Sequence, residues 1–449
     1  GRGERQGVTP PGAGRECERA IEGTRERTAL FKGLEPSARL LVGPGPVDVY
    51  QRVLRAMSVP MLGQFDPEFT GYMNETMALY RQVYRTTHEW TLLVNGTARG
   101  GIEACLGSLV SPGDKVLVPN FGRFGPLLAE ICRRVGGEVV TIDTEWGTVF
   151  ELDRLADAIG EHKPRVVALV HGDTSTATVQ PLEGVGAVCR EHDALLYVDA
   201  TATLGGMPVN VDEWKLDAVS AGLQKCMSGP PGSAPISIGE RAVEVVRKRK
   251  HIEGGIQPPG YVAAAGAIVG SNYLDLGMLI DYWSPLRLNH HTESTTMLYA
   301  ARECARVVLE EGLDNGFARH RAASGALRDG LLAMGLGLFG DQAHRMTNVT
   351  GVFIPEACGD GEGVRSEMLH DFGIEIGTAF GPLRGKIWRI GTMGHVCRKA
   401  NVLRCITALD AVLRRNRFEA PAGAAVDAVY RAYGDDGRTG MRNRGAKDE

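Results

Sequence analysis

The sequence predicts an α/β protein built on a mostly parallel β-sheet with helices on both faces. Seven short apolar runs rich in β-branched residues recur through the middle of the chain, among them KVLVP (115–119), EVVTID (138–143) and ALLYVDA (194–200). Helix-like segments such as FGPLLAEICRRVG (124–136) and ELDRLADAIGE (151–161) lie between several of these runs. Continuous apolar strands that alternate with helices are typical of a parallel sheet that is buried on both faces.

The same pattern predicts a division of the chain. Residues 1–35 are rich in Gly, Arg and Glu and are expected to form a disordered extension, and residues 36–59 form an N-terminal arm. Residues 60–290 carry the alternating strands and helices and form the large domain. Long helical stretches and strand-like segments follow, which predicts a smaller C-terminal α+β domain over residues 291–417. Residues 418–449 form a tail that is expected to be partly disordered.

The composition disfavours several function classes. The 449 residues carry a formal net charge of −4, with 43% hydrophobic and 23% charged residues, as in ordinary soluble proteins. This near-neutral balance gives no reason to expect nucleic acid or membrane partners, and no apolar stretch is long enough to span a bilayer. The nine cysteines are scattered and form no C-x-x-C pair, which favours free thiols in a reducing cytoplasm.

Candidate chemistry is expected at the carboxyl ends of the predicted strands, because parallel α/β sheets bind their ligands there. The segment NGTARGG (95–101) follows one strand and opens a helix. Its free backbone N–H groups and the helix dipole suit a phosphate, to which Thr97 would add a hydroxyl donor. Taken alone, the segment is better explained as an ordinary strand–helix turn with a threonine cap.

Two charged residues lie at the ends of other apolar runs. Asp199 ends a strand in YVDATATLGG, so its carboxylate needs a cationic or N–H partner, either in a ligand site or in a structural ion pair. Lys225 follows 26 residues later among small and apolar residues. Burial lowers the pKa of a lysine and frees its amine as a nucleophile, although an isolated lysine more often extends its charged end to solvent.

In combination, the helix-terminus anion site, the strand-end aspartate and the strand-end lysine predict a site for pyridoxal 5'-phosphate (PLP). The lysine forms a Schiff base with this cofactor, and the aspartate pairs with the pyridinium nitrogen, which makes the ring an electron sink. The phosphate of the cofactor would lie at the helix N-terminus.

The residues around these positions extend the match. The segments LLVGPGPVDV, NGTARGGIEA, HGDTSTATVQPLEG, AGLQKCMSGPPG and GKIWRIGTMG resemble the class V (fold type I) aminotransferases of the alanine–glyoxylate and serine–glyoxylate group. The resemblance runs in consistent order over roughly residues 38–415. It implies a PLP-dependent transferase of fold type I, with a seven-stranded sheet and transamination as its activity.

The resemblance also implies roles for single residues. Lys225 would carry the cofactor and act as the base for the proton shift, and Asp199 would pair with the ring nitrogen. Arg389 would bind the substrate carboxylate with its forked guanidinium, a role favoured over a surface ion pair because the strand around it is apolar. Gly45 would lie in the same substrate site. The other cofactor-binding candidates are Thr97, Ala98, Arg99, Phe124 (stacked on the ring), Thr174, Ser175 and Gln224.

Enzymes of this family are dimers with shared active sites, so the resemblance implies a homodimer. The segment RLNHHTEST (287–295) resembles the part that one subunit lends to the other, with Thr292 reaching the cofactor phosphate of the partner subunit. The adjacent His290 and His291 have no carboxylate or cysteine at recognisable ligand spacing. A structural or site-lining role is therefore favoured over a metal site.

Two residues with amide side chains, Asn289 and Gln64, indicate which amino donor the enzyme uses. Asn289 stands where alanine–glyoxylate enzymes usually have Tyr, and Gln64 lies in MLGQFDPEF (61–69), a loop expected to line the substrate pocket. Amides suit a donor that itself carries an amide or urea group. GQFDPEF, QKCMSGPPG and NHHTE resemble the branch of the family that moves the amino group of (S)-ureidoglycine to glyoxylate, giving oxalurate and glycine in purine (allantoin) breakdown. The alternative is an alanine–glyoxylate or serine–glyoxylate aminotransferase in which both amides are polar rim residues.

Two other function classes are disfavoured. A cysteine desulfurase shares the fold but needs a mobile cysteine nucleophile and a histidine over the cofactor ring, where this chain has Phe124. A non-catalytic relative would be expected to lack Lys225, Asp199 or Arg389, and all three are present.

Overall fold

The computed structural model describes residues 33–434 of the chain, which divides into two compact units, Gly1–Arg39 and Leu40–Glu449. In the first unit, the described residues 33–39 carry neither helix nor strand. The second unit contains all the helices and strands given below. Most of the predicted disordered extension (1–32) and the end of the predicted tail (435–449) lie outside the described residues.

The strands are numbered here in chain order, and they form one large sheet, one three-stranded sheet and two pairs. They are β1 (Leu40–Leu41), β2 (Trp90–Gly96), β3 (Lys115–Asn120), β4 (Glu138–Asp143), β5 (Val166–Val170), β6 (Gly172–Asp173), β7 (Thr178–Val179), β8 (Leu195–Asp199), β9 (Ala218–Ser220), β10 (Gly232–Ile238), β11 (Val349–Phe353), β12 (Ile374–Glu375), β13 (Gly377–Thr378) and β14 (Ile387–Gly391).

The α-helices are numbered in the same way. They are α1 (Gln51–Met57), α2 (Pro67–Val83), α3 (Ala98–Leu109), α4 (Phe124–Arg134), α5 (Leu152–His162), α6 (Val185–Glu191), α7 (Glu240–Lys248), α8 (Leu276–Trp283), α9 (Thr295–Glu311), α10 (Leu313–Ala333), α11 (Glu362–Phe372), α12 (Lys399–Arg415) and α13 (Ala424–Ala432).

The large sheet confirms the predicted fold class. Its seven strands lie in the order β2–β10–β9–β8–β5–β3–β4. Strand β10 is antiparallel to both of its neighbours, and the other adjacent pairs are parallel. Every residue of β5 and β8 is buried, so both faces of the sheet are covered, as the continuous apolar sequence of these strands predicts. Helices α3, α4 and α6 pack against the strands.

A second hydrophobic core lies in the C-terminal part of the second unit. Strands β11, β14 and β13 form its antiparallel sheet, and helices α10 to α13 contribute buried side chains to it. Leu40 and Val42 also belong to this core, because β1 pairs in parallel with β12. Helix α9 packs on the first core through Leu298 and Val308. The presence of two hydrophobic cores supports a division of the second unit into a large and a small domain. The predicted limits of these domains stay a prediction.

The sheet brings the predicted site residues to one edge. Strand pairing places Val170, at the end of β5, opposite Asp199 and places Asp199 opposite Ser220. The strand predicted over 218–224 is shorter than expected: β9 ends at Ser220, and Lys225 lies in the turn that follows. The carboxyl ends of the parallel strands β5, β8 and β9 therefore lie side by side, next to Lys225.

No helix among residues 33–434 combines the length and the apolar character needed to cross a lipid bilayer.

We predict that Gly186→Ala destabilises the fold. A Cβ at Gly186, in α6, would lie 2.1 Å from the carbonyl oxygen of Trp214, a backbone atom that cannot move alone. Overpacking of this kind costs about 1–3 kcal/mol, so thermal unfolding should start several degrees lower. Gly325→Ala in α10 is the matched control, because a Cβ there meets nothing within 4 Å, and it should stabilise the helix by up to about 1 kcal/mol. Equal melting temperatures for the two variants would contradict the prediction.

Candidate active site

A cavity of about 230 Å³ lies at the edge of the sheet where the strands end. Eight of the predicted catalytic and cofactor-binding residues line it together with Ile102, Leu127, Gly172 and Thr201. The structure thus brings together residues from five separate stretches of the sequence. The eight are Thr97, Ala98, Arg99, Phe124, Thr174, Asp199, Gln224 and Lys225.

One side of the cavity offers unpaired groups to an anion. Thr97 is the N-cap residue of α3, and its side chain makes no capping hydrogen bond. The first N–H groups of a helix have no partner within the helix, so those of Ala98 and Arg99 are available to a ligand. The Oε1 atom of Gln224 is buried and accepts no hydrogen bond from residues 33–434. These groups form a polar cradle that a phosphate and its neighbouring polar atoms would satisfy.

Asp199 is the buried carboxylate of the site. It ends β8, and its Oδ1 accepts a hydrogen bond of 2.9 Å from the backbone N–H of Thr201. Burial raises the pKa of Asp199, the hydrogen bonds from Thr201 oppose that rise, and Asp173 and Lys225 act with opposite signs. A positively charged ring nitrogen in the cavity would stabilise the ionised carboxylate.

Lys225 presents its amine to the same cavity. The Nζ atom donates a hydrogen bond to the carbonyl oxygen of Pro44, and a Cβ at Gly45 would lie only 2.7 Å from Nζ. A side chain here would displace the amine, and the φ of 97° at this position favours glycine, so the predicted residue Gly45 lies beside the amine. Burial lowers the pKa of Lys225 to about 8, and the positive charge of Arg389 contributes to this. A fraction of the amine is consequently neutral near physiological pH.

Asp173 is a buried carboxylate that the sequence-based prediction missed. Its Oδ1 accepts hydrogen bonds from the backbone N–H and the hydroxyl of Ser175 (2.8 and 2.6 Å), and its Oδ2 accepts one from the backbone N–H of Phe124 (3.0 Å). The Ser175 hydroxyl in turn accepts from the backbone N–H of Arg123 at 2.9 Å. Asp173 therefore fixes the start of α4 and the position of Phe124. Ser175 does not line the cavity, and its contact with a cofactor stays a prediction.

Arg389 adjoins the cavity as a buried cation. It lies in β14, and its guanidinium donates hydrogen bonds to the carbonyl oxygens of Thr378 and Thr174, with Nη1 at 2.9 Å from the latter. No carboxylate of residues 33–434 forms an ion pair with it, and one N–H on each terminal nitrogen stays unpaired. Burial lowers the pKa of Arg389 to about 10, and Asp173 opposes this shift. A buried guanidinium without an ion pair is suited to a carboxylate ligand.

The residues predicted to select the donor lie together outside this cavity. Gln64 donates from Nε2 to Oδ1 of Asn289 at 2.8 Å, although the two residues are 225 positions apart in the chain. Asn289 and Thr292 are exposed. None of the three lines the cavity around the Lys225 of its own chain.

A chain of hydrogen bonds holds the segment that carries Asn289 and Thr292. The carbonyl oxygen of Asn272 can only accept, so His290 donates to it from Nε2 (2.9 Å). In the matching tautomers, Nδ1 of His290 accepts from Nδ1 of His291 (2.7 Å), and Nε2 of His291 accepts from Nδ2 of Asn95 (2.6 Å). Burial lowers the pKa of His291 to about 4, which keeps its ring neutral at physiological pH. The segment is thereby linked to the turn that opens α3.

Two of the residues missed by the prediction differ in how visible they are in the sequence. Asp173 follows the buried strand β5 within HGDTSTA, so a strict search of strand ends would have found it. Glu293 gives no such signal, because its burial beside His291 arises from tertiary contacts. Burial raises the pKa of Glu293 to about 7. Among residues 33–434, no group of three or more His, Cys, Asp or Glu side chains is arranged to hold a metal ion.

The fold and this site define the class of protein. Residues 48–376 match the aminotransferase class-V family, and the chain belongs to that family, whose members are PLP-dependent aminotransferases.

Individual relatives agree with this assignment. The chain is 52% identical over 402 residues to the (S)-ureidoglycine–glyoxylate transaminase of Bacillus subtilis, which covers 89% of this chain and 96% of the relative. It is 34% identical over 390 residues to the alanine–glyoxylate aminotransferase of Mus musculus, covering 86% and 90%. The crystal structure of ureidoglycine–glyoxylate aminotransferase from Bacillus subtilis superposes with a TM-score of 0.85 at 51% identity, over 90% of this chain and 100% of that one.

We predict that Asp173→Ala lowers the free energy of unfolding by about 3 kcal/mol, because the N–H groups of Phe124 and Ser175 would lose their acceptor inside the protein. Asp173→Asn keeps one acceptor oxygen and should lose less. Thermal unfolding followed by circular dichroism measures both effects, with Asp157→Ala on the exposed face of α5 as the control. A melting temperature for Asp173→Ala equal to that of Asp157→Ala would show that the buried carboxylate does not hold α4.

Proposed function

We propose that this aminotransferase transfers the amino group of (S)-ureidoglycine to glyoxylate with PLP as cofactor, giving oxalurate and glycine. The observation that carries the proposal is the convergence of three buried charged groups at one cavity. The amine of Lys225 and the carboxylate of Asp199 line it, and the guanidinium of Arg389 adjoins it through its hydrogen bond to the carbonyl oxygen of Thr174, which also lines the cavity. The donor follows from the amides of Gln64 and Asn289 and from the high identity to a transaminase named for this substrate.

The residues of the cavity fit PLP. The amides of Ala98 and Arg99, the Thr97 hydroxyl and Gln224 would hold its phosphate, Phe124 would cover one face of its ring, and Asp199 would hold the proton of its ring nitrogen. When bound, PLP supplies the electron sink for transamination. These residues would all contact the cofactor, so the choice of amino donor depends on other residues, on the substrate side of the site.

Lys225 is the group that moves protons. Its lowered pKa makes the Nζ lone pair available near pH 8, so Lys225 would hold the cofactor and would take up the proton of the donor carbon. In the free chain, Nζ donates a hydrogen bond to the Pro44 carbonyl. Arg389 binds the carboxylate that the donor and glyoxylate share, so both substrates lie in the same orientation.

The amide pair supports a ureido donor. The bond from Gln64 Nε2 to Asn289 Oδ1 leaves the Gln64 carbonyl oxygen as an acceptor and the Asn289 Nδ2 group as a donor. A ureido group carries N–H donors next to a carbonyl acceptor, which is the complementary arrangement. Alanine has only a methyl group to offer, so the remaining acceptor of Gln64 and the remaining donor of Asn289 would gain no partner from it.

A homodimer would complete the site. Gln64 and Asn289 lie outside the cavity of their own chain, beside exposed apolar side chains: Met61 is 70% exposed, Phe65 is 76% exposed and Leu286 is 74% exposed. Exposed apolar side chains clustered in this way are typical of an interface. In a dimer the segment would reach the neighbouring cavity, where Thr292 would contact the phosphate and the amides would contact the donor.

We predict that covalent attachment of PLP to the apoprotein becomes faster as the pH rises through about 8. The neutral Lys225 amine reacts and the protonated amine does not, and its pKa is lowered to about 8. Arg389→Gln should move this midpoint to higher pH, because removing a nearby positive charge favours the protonated amine. Stopped-flow absorbance of the bound cofactor measures the rate. A midpoint near the ordinary lysine value of 10.5 in the unsubstituted protein would refute the lowered pKa.

We also predict that Gln64→Ala and Asn289→Ala each reduce kcat/KM for (S)-ureidoglycine at least tenfold and leave alanine turnover nearly unchanged, because a lost hydrogen bond to the ureido group affects only that donor. The assay supplies freshly made ureidoglycine, alanine or serine with glyoxylate. Asn315→Ala on the exposed side of α10 is the control. A preference of the unsubstituted enzyme for alanine would contradict the proposed donor, and equal losses for all donors would indicate general damage.

A further inference from the structure

Two arginines share one aromatic ring beside the candidate carboxylate site. The guanidinium carbon of Arg389 lies 5.0 Å from the ring centroid of Phe380, and that of Arg123 lies 4.5 Å from the same centroid. Arg123 lies directly before α4, and Phe380 follows β13 of the three-stranded sheet, so the two come from different parts of the fold. Neither residue was among those predicted from the sequence.

The two cations differ in their contact with solvent. Arg389 is buried, with 4% of its surface exposed, whereas Arg123 is exposed and the ring of Phe380 is 40% exposed. The ring thus lies between the inner guanidinium and the outside. The guanidinium of Arg123 also forms no ion pair with a carboxylate in the part of the chain that the structure describes, and its contacts there are the rings of Phe380 and Phe124.

The arrangement is electrostatically suited to an incoming anion. Arg123 adds to the burial that lowers the pKa of Arg389, so the two positive charges repel each other across the ring. A carboxylate that arrives near both would relieve this repulsion. The backbone N–H of Arg123 is fixed by Ser175, which Asp173 holds in turn, so the residue is anchored beside the site, and stacking on Phe380 places its guanidinium.

We propose that Arg123 and Phe380 form the entrance to the carboxylate site, where Arg123 captures the carboxylate of each incoming substrate and delivers it to Arg389. The inference rests on the proposed function in that both substrates carry a carboxylate. Arg123 determines how readily carboxylate substrates enter, and the proton transfers take place elsewhere, at Lys225. Charged side chains at the mouth of a cleft raise the rate of capture, and the effect falls as salt screens them.

The test is steady-state kinetics of Arg123→Gln with glyoxylate as the varied substrate, from low to high ionic strength. The expected result is a KM raised about tenfold at low salt, a kcat within about twofold of the unsubstituted enzyme, and a KM that no longer rises with salt. Arg123→Lys keeps the charge and should keep most of the salt dependence. Phe380→Leu removes the ring that Arg123 stacks on and should raise KM in the same direction.

Arg154→Gln is the matched control. Like Arg123, Arg154 is exposed and stacks on an aromatic ring, with its guanidinium carbon 4.8 Å from the Phe150 centroid, but that ring is not the one that Arg389 contacts. Its kinetics should equal those of the unsubstituted enzyme.

Several outcomes would contradict the proposal that Arg123 and Phe380 form the entrance. These are an unchanged KM and salt dependence in Arg123→Gln, a loss confined to kcat, or an equal effect of Arg154→Gln. Calorimetric titration of glyoxylate separates this inference from the proposed function. If the protein transaminates no donor but binds glyoxylate more weakly in Arg123→Gln, the proposed function is wrong and the entrance stands. If the protein transaminates and Arg123→Gln binds glyoxylate as tightly as the unsubstituted protein does, the proposed entrance is wrong and the proposed function stands.

Discussion

The structure depends on keeping two cations, Lys225 and Arg389, out of water beside the same cavity. Burial lowers the pKa of both groups. The charge of Arg389 lowers the pKa of Lys225 further, and nearby carboxylates oppose the fall at both groups. Asp173 and Asp199 supply that opposing charge and are themselves buried, which raises their own pKa values. The four groups form one electrostatic unit. Each of the four shifts the pKa of at least one of the others.

The fold meets this requirement by joining two cores at the cavity. Asp199 ends strand β8 of the large sheet and Lys225 lies in the turn after β9, whereas Arg389 lies in the three-stranded sheet of the second core. Polar backbone atoms take the place of counter-ions: the Pro44 carbonyl accepts from the lysine, and the Thr174 and Thr378 carbonyls accept from the arginine. The spacing of the two cations therefore follows from rigid elements.

The sequence predicts those residues of the site that lie at the end of a recognisable strand or at the start of a recognisable helix. Strands β3 and β4 appear in it as apolar runs bounded by turn residues, and Asp199 is visible because it ends another such run. The NGTARGG turn is visible because the helix after it begins with residues that leave N–H groups free. Lys225 is visible because a lysine among small apolar residues needs an explanation, even though the strand before it ends at Ser220. Local periodicity carries information of this kind.

The remainder depends on contacts that no local pattern encodes. The bond between Gln64 and Asn289 spans 225 residues, and the shared ring of Phe380 joins segments more than 250 residues apart. Glu293 follows Thr292 in a polar segment and is nevertheless buried, because the histidine chain and the turn at Asn95 close over it. Such positions are set by how the elements pack, so a sequence reading that works strand by strand does not reach them.

The site contains buried polar groups without hydrogen-bond partners among residues 33–434, which lower the stability of the fold but are available to ligands. A buried donor or acceptor without a partner destabilises a fold by about 1–3 kcal/mol, and Gln224, Gln64 and Arg389 all carry one in the free chain. Apolar residues of the same size would give a more stable protein. Each unpaired group matches a different part of the proposed ligands: the phosphate edge of the cofactor for Gln224, the ureido group for Gln64 and the shared carboxylate for Arg389. Ligand binding therefore supplies the hydrogen bonds that folding leaves unmade, and a ligand that lacks one of these groups is discriminated against by the group it leaves unpaired.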